Sequence, residues 1–516
     1  MTGAAAPNID LERTTFDVLV VGSGFGGGTT AYALSRAGLK VLLVERGGWP
    51  ARDETDWNGR AILLDGRYKG ETPLDVRQGG AAADVETFPN EVVGGNSIFF
   101  GGAALRLRTT DFARWPLAYT DLEPHYGEAE ALLEVHGEAG SDPCEPPRSG
   151  PYPYPPAELT LPARRIADAA RALGLHPFHI PIAINHAGAR EPRCINCFTC
   201  DGFPCRIGAK NDVTQTALAK ADQNNLAVVA RMLVARLVER DGRIAGIEAI
   251  DRDSWRRLTL RARVYVLSGG AIGSAALMLR SGLGARDASG TLGRYLMRHC
   301  NAMLGYVFPF RTNPEGVNHK QICVTDLYES VREADGTSLG IIQDMVMPPR
   351  DVVRSLGPPG FRWAAALGAN NLQTLLCIAE DDPQKENGVS LSERKDAFDL
   401  PVAAVRHEYT KADVRRRSTL VRAAGRILRK AGGLVGKVRL IDSFSHAVGT
   451  ARFARTPEDG ALSPECRVWS LPNLFVVDGS FMPTSGGVNP SLTITANAFR
   501  VAGHIKRDFA ALSAGA

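Results

Sequence analysis

Apolar and polar positions alternate with different periods along this chain, and each change of period predicts a different element. Residues 17–21 (Asp-Val-Leu-Val-Val) are a short continuous apolar run, the pattern of a strand buried on both faces. The run leads directly into Gly22-Ser23-Gly24-Phe25-Gly26-Gly27-Gly28. Thr29 to Ala37 reads as a helix, which Gly38 stops. Lys40 to Val44 is a second buried strand, closed by Glu45. Residues 50–85 lose this regularity and read as a polar connection with small elements of its own. Residues 139–160, rich in Pro, Gly and Ser, mark a linker or long loop, and Leu161 to Leu173 has the spacing of an amphipathic helix. From Leu226 the period becomes two. Val228-Val229, Leu233 to Val238, Ile244 to Ile250 and Leu258 to Leu260 read as short strands, with Asp241-Gly242 as a hairpin turn. Val264 to Leu267 is again a continuous buried strand, followed by Ser268-Gly269-Gly270 and a helix. This repeats the opening geometry and predicts a return to the same sheet. Residues 300–440 read as mixed strands and loops without a chemical motif.

A chain of 516 residues exceeds one simple core, so two domains are expected. The composition, 44% hydrophobic and 22% charged, is that of a soluble globular protein. A net charge of +4, with both signs interspersed and no basic run carrying aromatics, argues against a nucleic-acid partner. No apolar stretch approaches the length of a membrane span. Met1 to Arg13 has neither a secretory pattern nor a twin arginine, which predicts a cytoplasmic location.

The chemistry begins with order. Strand, Gly-x-Gly-x-x-Gly, helix, strand and acid follow one another as a dinucleotide site requires. Gly22 permits the tight turn, Gly24 lets backbone approach a pyrophosphate at the helix N-terminus, and Gly27 lets helix and strand pack closely. Glu45 is placed for ribose hydroxyls, which disfavours a 2′-phosphate; the unit by itself does not separate FAD from NAD. A second glycine turn, Glu91 to Ser97 with Gly94-Gly95 at its centre, is either an anion nest or a surface turn. Near the C-terminus, His446 and Asn489 each lie in a turn rich in Gly or Pro, where side chains reach a site rather than a packed element. A His that takes a proton near neutrality and an Asn that holds an oxygen, joined to a dinucleotide turn, suggest a flavin enzyme that oxidises a hydroxyl group.

Together these landmarks resemble the glucose–methanol–choline (GMC) family of FAD-dependent oxidoreductases. The unit at 17–45, the Gly94-Gly95 turn, the strand–turn–helix from Ser268 to Ser281, the His446 turn and the close from Asp478 to Ile494 occur in the family's order. Asp111 to Pro124 is similar to the family's lead-in to its substrate domain. Leu292 to His299 is similar to a segment that ends in Asp-His, with Arg298 in place of Asp. The resemblance implies an α/β fold: a Rossmann-like FAD-binding domain assembled from residues 1–110, 205–300 and 466–516, and an α+β substrate domain with an antiparallel sheet from 111–204 and 301–465.

It also implies roles. His446 would be the base, Asn489 would orient the reacting oxygen, and a hydride would pass to flavin N5. Cofactor contacts would come from Gly22, Gly24, Phe25, Gly26, Gly27, Glu45, Arg46, Gly94, Gly95, Asn96, Ser97, Val234, Asp478, Gly479, Asn489, Pro490 and Ser491. Asp478 capping the segment after it is a compatible second role. Some members attach FAD through a His after the Gly-Gly turn; residues 94–102 contain none, so FAD is expected to be non-covalent. The close at Gly486 to Ile494 and the phrase Asp201-Gly202-Phe203-Pro204-Cys205 look most like bacterial members acting on sugars and glycosides. The expected partners are therefore a small hydroxyl substrate and O2 or another electron acceptor. A sterol or other apolar alcohol, or a redox-silent lyase of the same fold, are the alternatives.

Four of the nine cysteines, Cys194, Cys197, Cys200 and Cys205, have the spacing C-x2-C-x2-C-x4-C. Structural cysteines, a bound metal or iron–sulfur cluster, and redox thiols all fit that spacing. Similar Cys-rich segments followed by Gly-Ala-Lys, here Gly208-Ala209-Lys210, occur in bacterial members. No metal ligand is assigned.

Overall fold

The computed structural model describes residues 9–78, 81–82, 86–187, 191–314, 316–317, 319–329, 338–345, 350–356, 360 and 362–514. Residues 1–8 of the N-terminal stretch, and both ends of the expected domain division at 1 and 516, lie outside them.

The buried apolar runs pair as their composition predicts. β1 (Thr15–Val21) lies parallel between β2 (Val41–Val44) and β9 (Arg257–Leu267). With β6 (Leu226–Val229), β7 (Met232–Arg240), β8 (Arg243–Asp251) and β17 (Leu474–Val476), they form a seven-stranded sheet in the order β6-β2-β1-β9-β8-β7, with β17 also on β9. Leu258–Leu260 and Val264–Leu267 are not separate strands. They are two ends of β9, whose beginning pairs antiparallel with β8 and whose remainder runs parallel to β1. The helix after the glycine turn begins at Phe25, earlier than Thr29, and ends at Arg36.

A second sheet has the order β16-β10-β13-β12-β11-β5. It comprises β5 (Phe178–His179), β10 (Ala302–Val307), β11 (Ile322–Val324), β12 (Gly340–Met345), β13 (Leu372–Ala379) and β16 (Val435–Leu440), every pairing antiparallel. Its period-two alternation feeds two different cores. Ile342, Leu375 and Cys377 pack with the helices Leu161–Arg171 and Lys411–Lys430. Ile341, Leu376 and Ile378 belong to the main core shared with the first sheet. Gln343, on β12 opposite Leu376, therefore faces the first sheet. A third sheet joins β3 (Asp75–Gln78) and β4 (Ala81–Ala82) to β14 (Gly388–Lys395) and β15 (Pro401–Arg406). Among the described residues, no helix is long and apolar enough to cross a membrane.

Arg106, downstream of the Gly94 turn, is committed to structure. Its Nε and Nη2 donate to both oxygens of Glu130 on the helix Tyr119–Leu132, at 2.7 and 2.8 Å, and Arg148 adds a third donor at 2.7 Å. The side chains of Arg106 and Glu130 are 3% and 2% exposed. Without the shared acid, Arg106 keeps only the carboxylate of Glu123 at 3.0 Å and Arg148 only that of Glu145 at 2.9 Å, so Glu130→Ala should cost about 1.5–3 kcal/mol in lost charged hydrogen bonds. Thermal melting checks this; an unchanged Tm would show that the network contributes nothing.

Candidate active site

The first glycine turn is shaped by close approach. Gly22 has φ +94°, and a Cβ there would lie 2.3 Å from the Ser268 carbonyl oxygen. A Cβ on Gly27 would lie 1.9 Å from the Gly22 carbonyl oxygen, and one on Gly26 would lie 2.2 Å from that of Val477. At Gly24, by contrast, the space for a Cβ is open. Gly24 also caps the helix Phe25–Arg36 without a side chain, and the first turn carries no acid. The positive helix end is thus left unscreened beside open space, which fits a pyrophosphate.

The predicted cofactor segments converge here. Gly94 N–H donates to Ser23 Oγ at 2.8 Å, and Ser23 Oγ donates to Glu45 at 2.7 Å. Glu45 also accepts from the backbone of Ser23 and Gly47, yet burial raises its pKa above the ordinary carboxylate value. A Cβ on Gly95 would come within 3.4 Å of the Gly24 Cα, so the two turns face each other. Ser97 Oγ ties off the second turn on the Gly94 carbonyl at 2.7 Å. Phe25 meets Phe100 edge-on at 5.1 Å. Asp478 caps Gly479–Phe481 through Ser480 N–H at 2.9 Å and accepts a hydrogen bond from Ser274. Other candidates are engaged elsewhere: Arg46 pairs with Glu91, Asn96 accepts from Asn90 at 2.7 Å, and the Val234 carbonyl takes Arg280 at 3.1 Å.

The His446 turn packs on the same end of the sheet. Gly449 N–H donates to the Gly479 carbonyl at 3.0 Å. On its other side, Val448 and Met297 exchange backbone hydrogen bonds at 2.9 and 3.0 Å, which brings His299 to His446. Sequence reasoning noted the segment ending in His299 but assigned this His no role. The two rings meet Nδ1 to Nδ1 at 2.9 Å. His299 Nε2 contacts the carbonyls of Ser485 and Gly486 at 3.2 and 2.9 Å.

Hydrogen-bond chemistry fixes the tautomers. A carbonyl only accepts, so His299 Nε2 carries the proton and its Nδ1 is the acceptor. His446 must then donate from Nδ1, which leaves Nε2 as a bare lone pair. Facing that lone pair is Asn489 Nδ2 at 3.5 Å, the outer limit of a hydrogen bond. Asn489 Oδ1 in turn accepts from Gln343 Nε2 at 2.6 Å, and Gln343 Oε1 accepts from Lys320 Nζ at 3.2 Å. Every donor points the same way, from Lys320 to the Ser485–Gly486 carbonyls.

Electrostatics agree with a neutral ring. Desolvation, then His299 and Lys320, push the His446 pKa well below the ordinary imidazole value, against a smaller opposing pull from Asp381. Desolvation likewise lowers the His299 pKa, opposed by Asp381 and the two carbonyls. Asp381 accepts from the backbone N–H groups of Arg298 and His299 at 2.8 and 3.0 Å. Burial would raise its pKa, but His407 beside it brings it below the ordinary value. The pair His446 and Asn489 can therefore take the proton of an alcohol on one side and donate to its oxygen on the other.

Among the described residues, no group of three or more His, Cys, Asp or Glu side chains is placed to hold a metal ion. All four clustered cysteines are unpaired in the structure.

Comparison with known proteins agrees with this geometry. Residues 20–62 match an NAD(P)-binding Rossmann-like domain, and residues 76–301 and 383–498 match the two parts of the GMC oxidoreductase family. The chain is 31% identical to 6'''-hydroxyparomomycin C oxidase of Streptomyces lividus, over 96% of this chain and 93% of that one. It is 30% identical to paromamine 6'-oxidase of Streptomyces fradiae, over 96% and 92%. The crystal structure of pyridoxine 4-oxidase from Mesorbium loti shares the fold, with a TM-score of 0.68 at 21% identity over 95% of this chain and 99% of that one. The Rossmann-like turn and the family together imply FAD as the cofactor. The chain belongs to the GMC oxidoreductase family, enzymes of oxidation and reduction.

Proposed function

We propose that this chain oxidises a CH–OH group to C=O on a sugar, glycoside or related alcohol, with FAD held non-covalently. One observation carries the reading: the one-way hydrogen-bond chain that leaves His446 Nε2 unprotonated opposite the Asn489 amide. The alcohol proton goes to Nε2, and Asn489 Nδ2 steadies the oxygen as its charge grows. FAD, when bound, supplies the acceptor for the hydride that leaves the same carbon. Its pyrophosphate would sit at Gly24 on the helix end, with Glu45 and the Gly94–Ser97 turn beside it. A sugar is favoured over a sterol by the phrase Asp201 to Cys205 and the close at Gly486 to Ile494, which look most like bacterial members acting on sugars and glycosides. The names of the two relatives, oxidases of paromamine and of a hydroxyparomomycin, point the same way.

The test is anaerobic absorbance of the FAD-loaded enzyme with D-glucose, methyl glucosides, paromamine, cholesterol and a long-chain alcohol. Bleaching by the sugars is expected. Bleaching by cholesterol or the long-chain alcohol alone would replace the sugar reading with the apolar one. No bleaching by any of them would favour a redox-silent relative. Acid precipitation of the loaded enzyme should leave the flavin in the supernatant; flavin retained in the pellet would refute non-covalent attachment.

A further inference from the structure

Lys320 is an expensive residue to bury. Its side chain is 2% exposed, and its ammonium lies between Asp201 Oδ2 at 3.1 Å and Gln343 Oε1 at 3.2 Å. A buried ammonium costs stability unless it is paired, and an apolar side chain of similar length would fill the space without that cost. Room is made for it deliberately: a Cβ at Gly101 would lie 2.8 Å from both Lys320 Cε and the Asp201 carboxylate. The Asp201 that neutralises it belongs to the cysteine-rich loop. That loop is pinned by Lys210, whose Nζ donates to the carbonyls of Cys200 at 3.0 Å and Phe203 at 2.6 Å, and by Gly202 N–H on the Phe99 carbonyl at 2.8 Å.

What an ammonium does here, and an amide or hydroxyl would not, is remove a choice. Amides can turn either end toward a neighbour, and a relay of two amides can reverse as a unit. An ammonium has no lone pair, so Gln343 must present Oε1 to it. Gln343 then presents NH2 to Asn489 Oδ1, and Asn489 presents NH2 to His446. In the reversed relay Asn489 would present its carbonyl oxygen. Nε2 would then need a proton to meet it, and the base would be spent.

We propose that Lys320 is a positioning residue for His446: through Gln343 it locks the Asn489 amide with NH2 toward Nε2, and Asp201 of the cysteine-rich loop holds Lys320 in place. This rests on reading His446 as the base. The charged or titratable groups that face His446 are His299, Lys320 and Asp381, the last held by His407. Lys320 acts on the ring twice, by its charge and by the sense of the relay, and both keep it unprotonated.

The test needs no substrate. The FAD-loaded enzyme is labelled on histidine nitrogen and titrated by NMR from about pH 8 to about pH 5.5, the window in which an ordinary imidazole charges. The His446 signal is assigned by its loss in His446→Ala. Wild type should keep Nε2 bare through this range. In Lys320→Met the protonation midpoint should move up by part of its depression, since burial and His299 remain, and the Nε2 signal should begin to titrate at the acid end of the window. The double variant Asp201→Asn with Lys320→Met removes the stranded carboxylate and guards against misfolding; its midpoint should also rise, by less. An unchanged midpoint and an unchanged Nε2 signal in both variants would overturn the proposal. Failure of every alcohol to reduce the flavin would instead count against the base itself, and the titration is independent of that outcome.

Discussion

His446→Ala should lower the rate of anaerobic flavin reduction by about 10²–10⁴-fold, while the purified protein keeps its FAD. The ring holds the bare lone pair that ends the relay, and no other described nitrogen or oxygen in that chain combines a lone pair with a place beside Asn489 Nδ2. Its removal takes away the proton acceptor. It leaves in place the contacts that join this segment to the cofactor side, which are made by Gly449 and Ala451 backbone and the Thr450 hydroxyl. The pH dependence has a definite sign. Because the folded pKa of His446 lies well below the ordinary value, the base is present throughout the neutral range. The rate of reduction should therefore show no acid-side inflection near pH 6.5 and should fall only at lower pH. Stopped-flow reduction across pH checks both points. Undiminished reduction in His446→Ala would sink the assignment of the base.

The second large effect is expected at the first glycine turn. Gly27→Ala would drive a methyl group to 1.9 Å from the Gly22 carbonyl oxygen. The atom struck is backbone rather than a flexible side chain, and Gly22 is held by its N–H on the Val44 carbonyl at 2.8 Å. The helix Phe25–Arg36 must therefore move off β1. Overpacking of this kind costs about 1–3 kcal/mol and displaces the N–H groups a pyrophosphate needs. Gly27→Ala should purify without flavin and melt early. Gly24→Ala separates the two consequences. Its methyl enters open space, so the apo protein should melt like wild type, yet FAD binding should be lost because the same space receives the phosphates. Tight FAD binding by Gly24→Ala would show that the cofactor approaches elsewhere.

Much of this architecture can be read from the chain, and the misses have physical causes. β1, β2 and the end of β9 are continuous apolar runs, and the helix-breaking glycines between them leave one reading. β9 looks like two strands because Arg261 and Arg263 interrupt its apolar run, although alternate positions still face the core. The helix Lys411–Lys430 was read among strands and loops. Leu420, Ala424, Ile427 and Leu428 do form an apolar stripe, but buried Asp413 and Arg416 break it in the first half and basic residues crowd the other face. The reciprocal cap between Thr410 and Asp413 was its visible signal. His446 and Asn489 sit in recognisable turns. His299, Lys320 and Gln343 do not, because a lone Lys or Gln in a strand region has no local pattern. Their meaning comes only from the partner across the fold, and Asn489 is 146 residues from Gln343.

That separation has a consequence for how the enzyme is made. The dinucleotide turn takes its final shape only when the Ser268 and Val477 carbonyls close on Gly22 and Gly26. The proton relay draws on Lys320, Gln343, His446 and finally Asn489, just ahead of the helix Ser491–Ser513. The relay therefore joins four residues spread over about 170 positions, and none of them neighbours another in sequence. Turn and relay alike therefore wait on contacts between segments far apart in the chain, the kind that form slowly in folding.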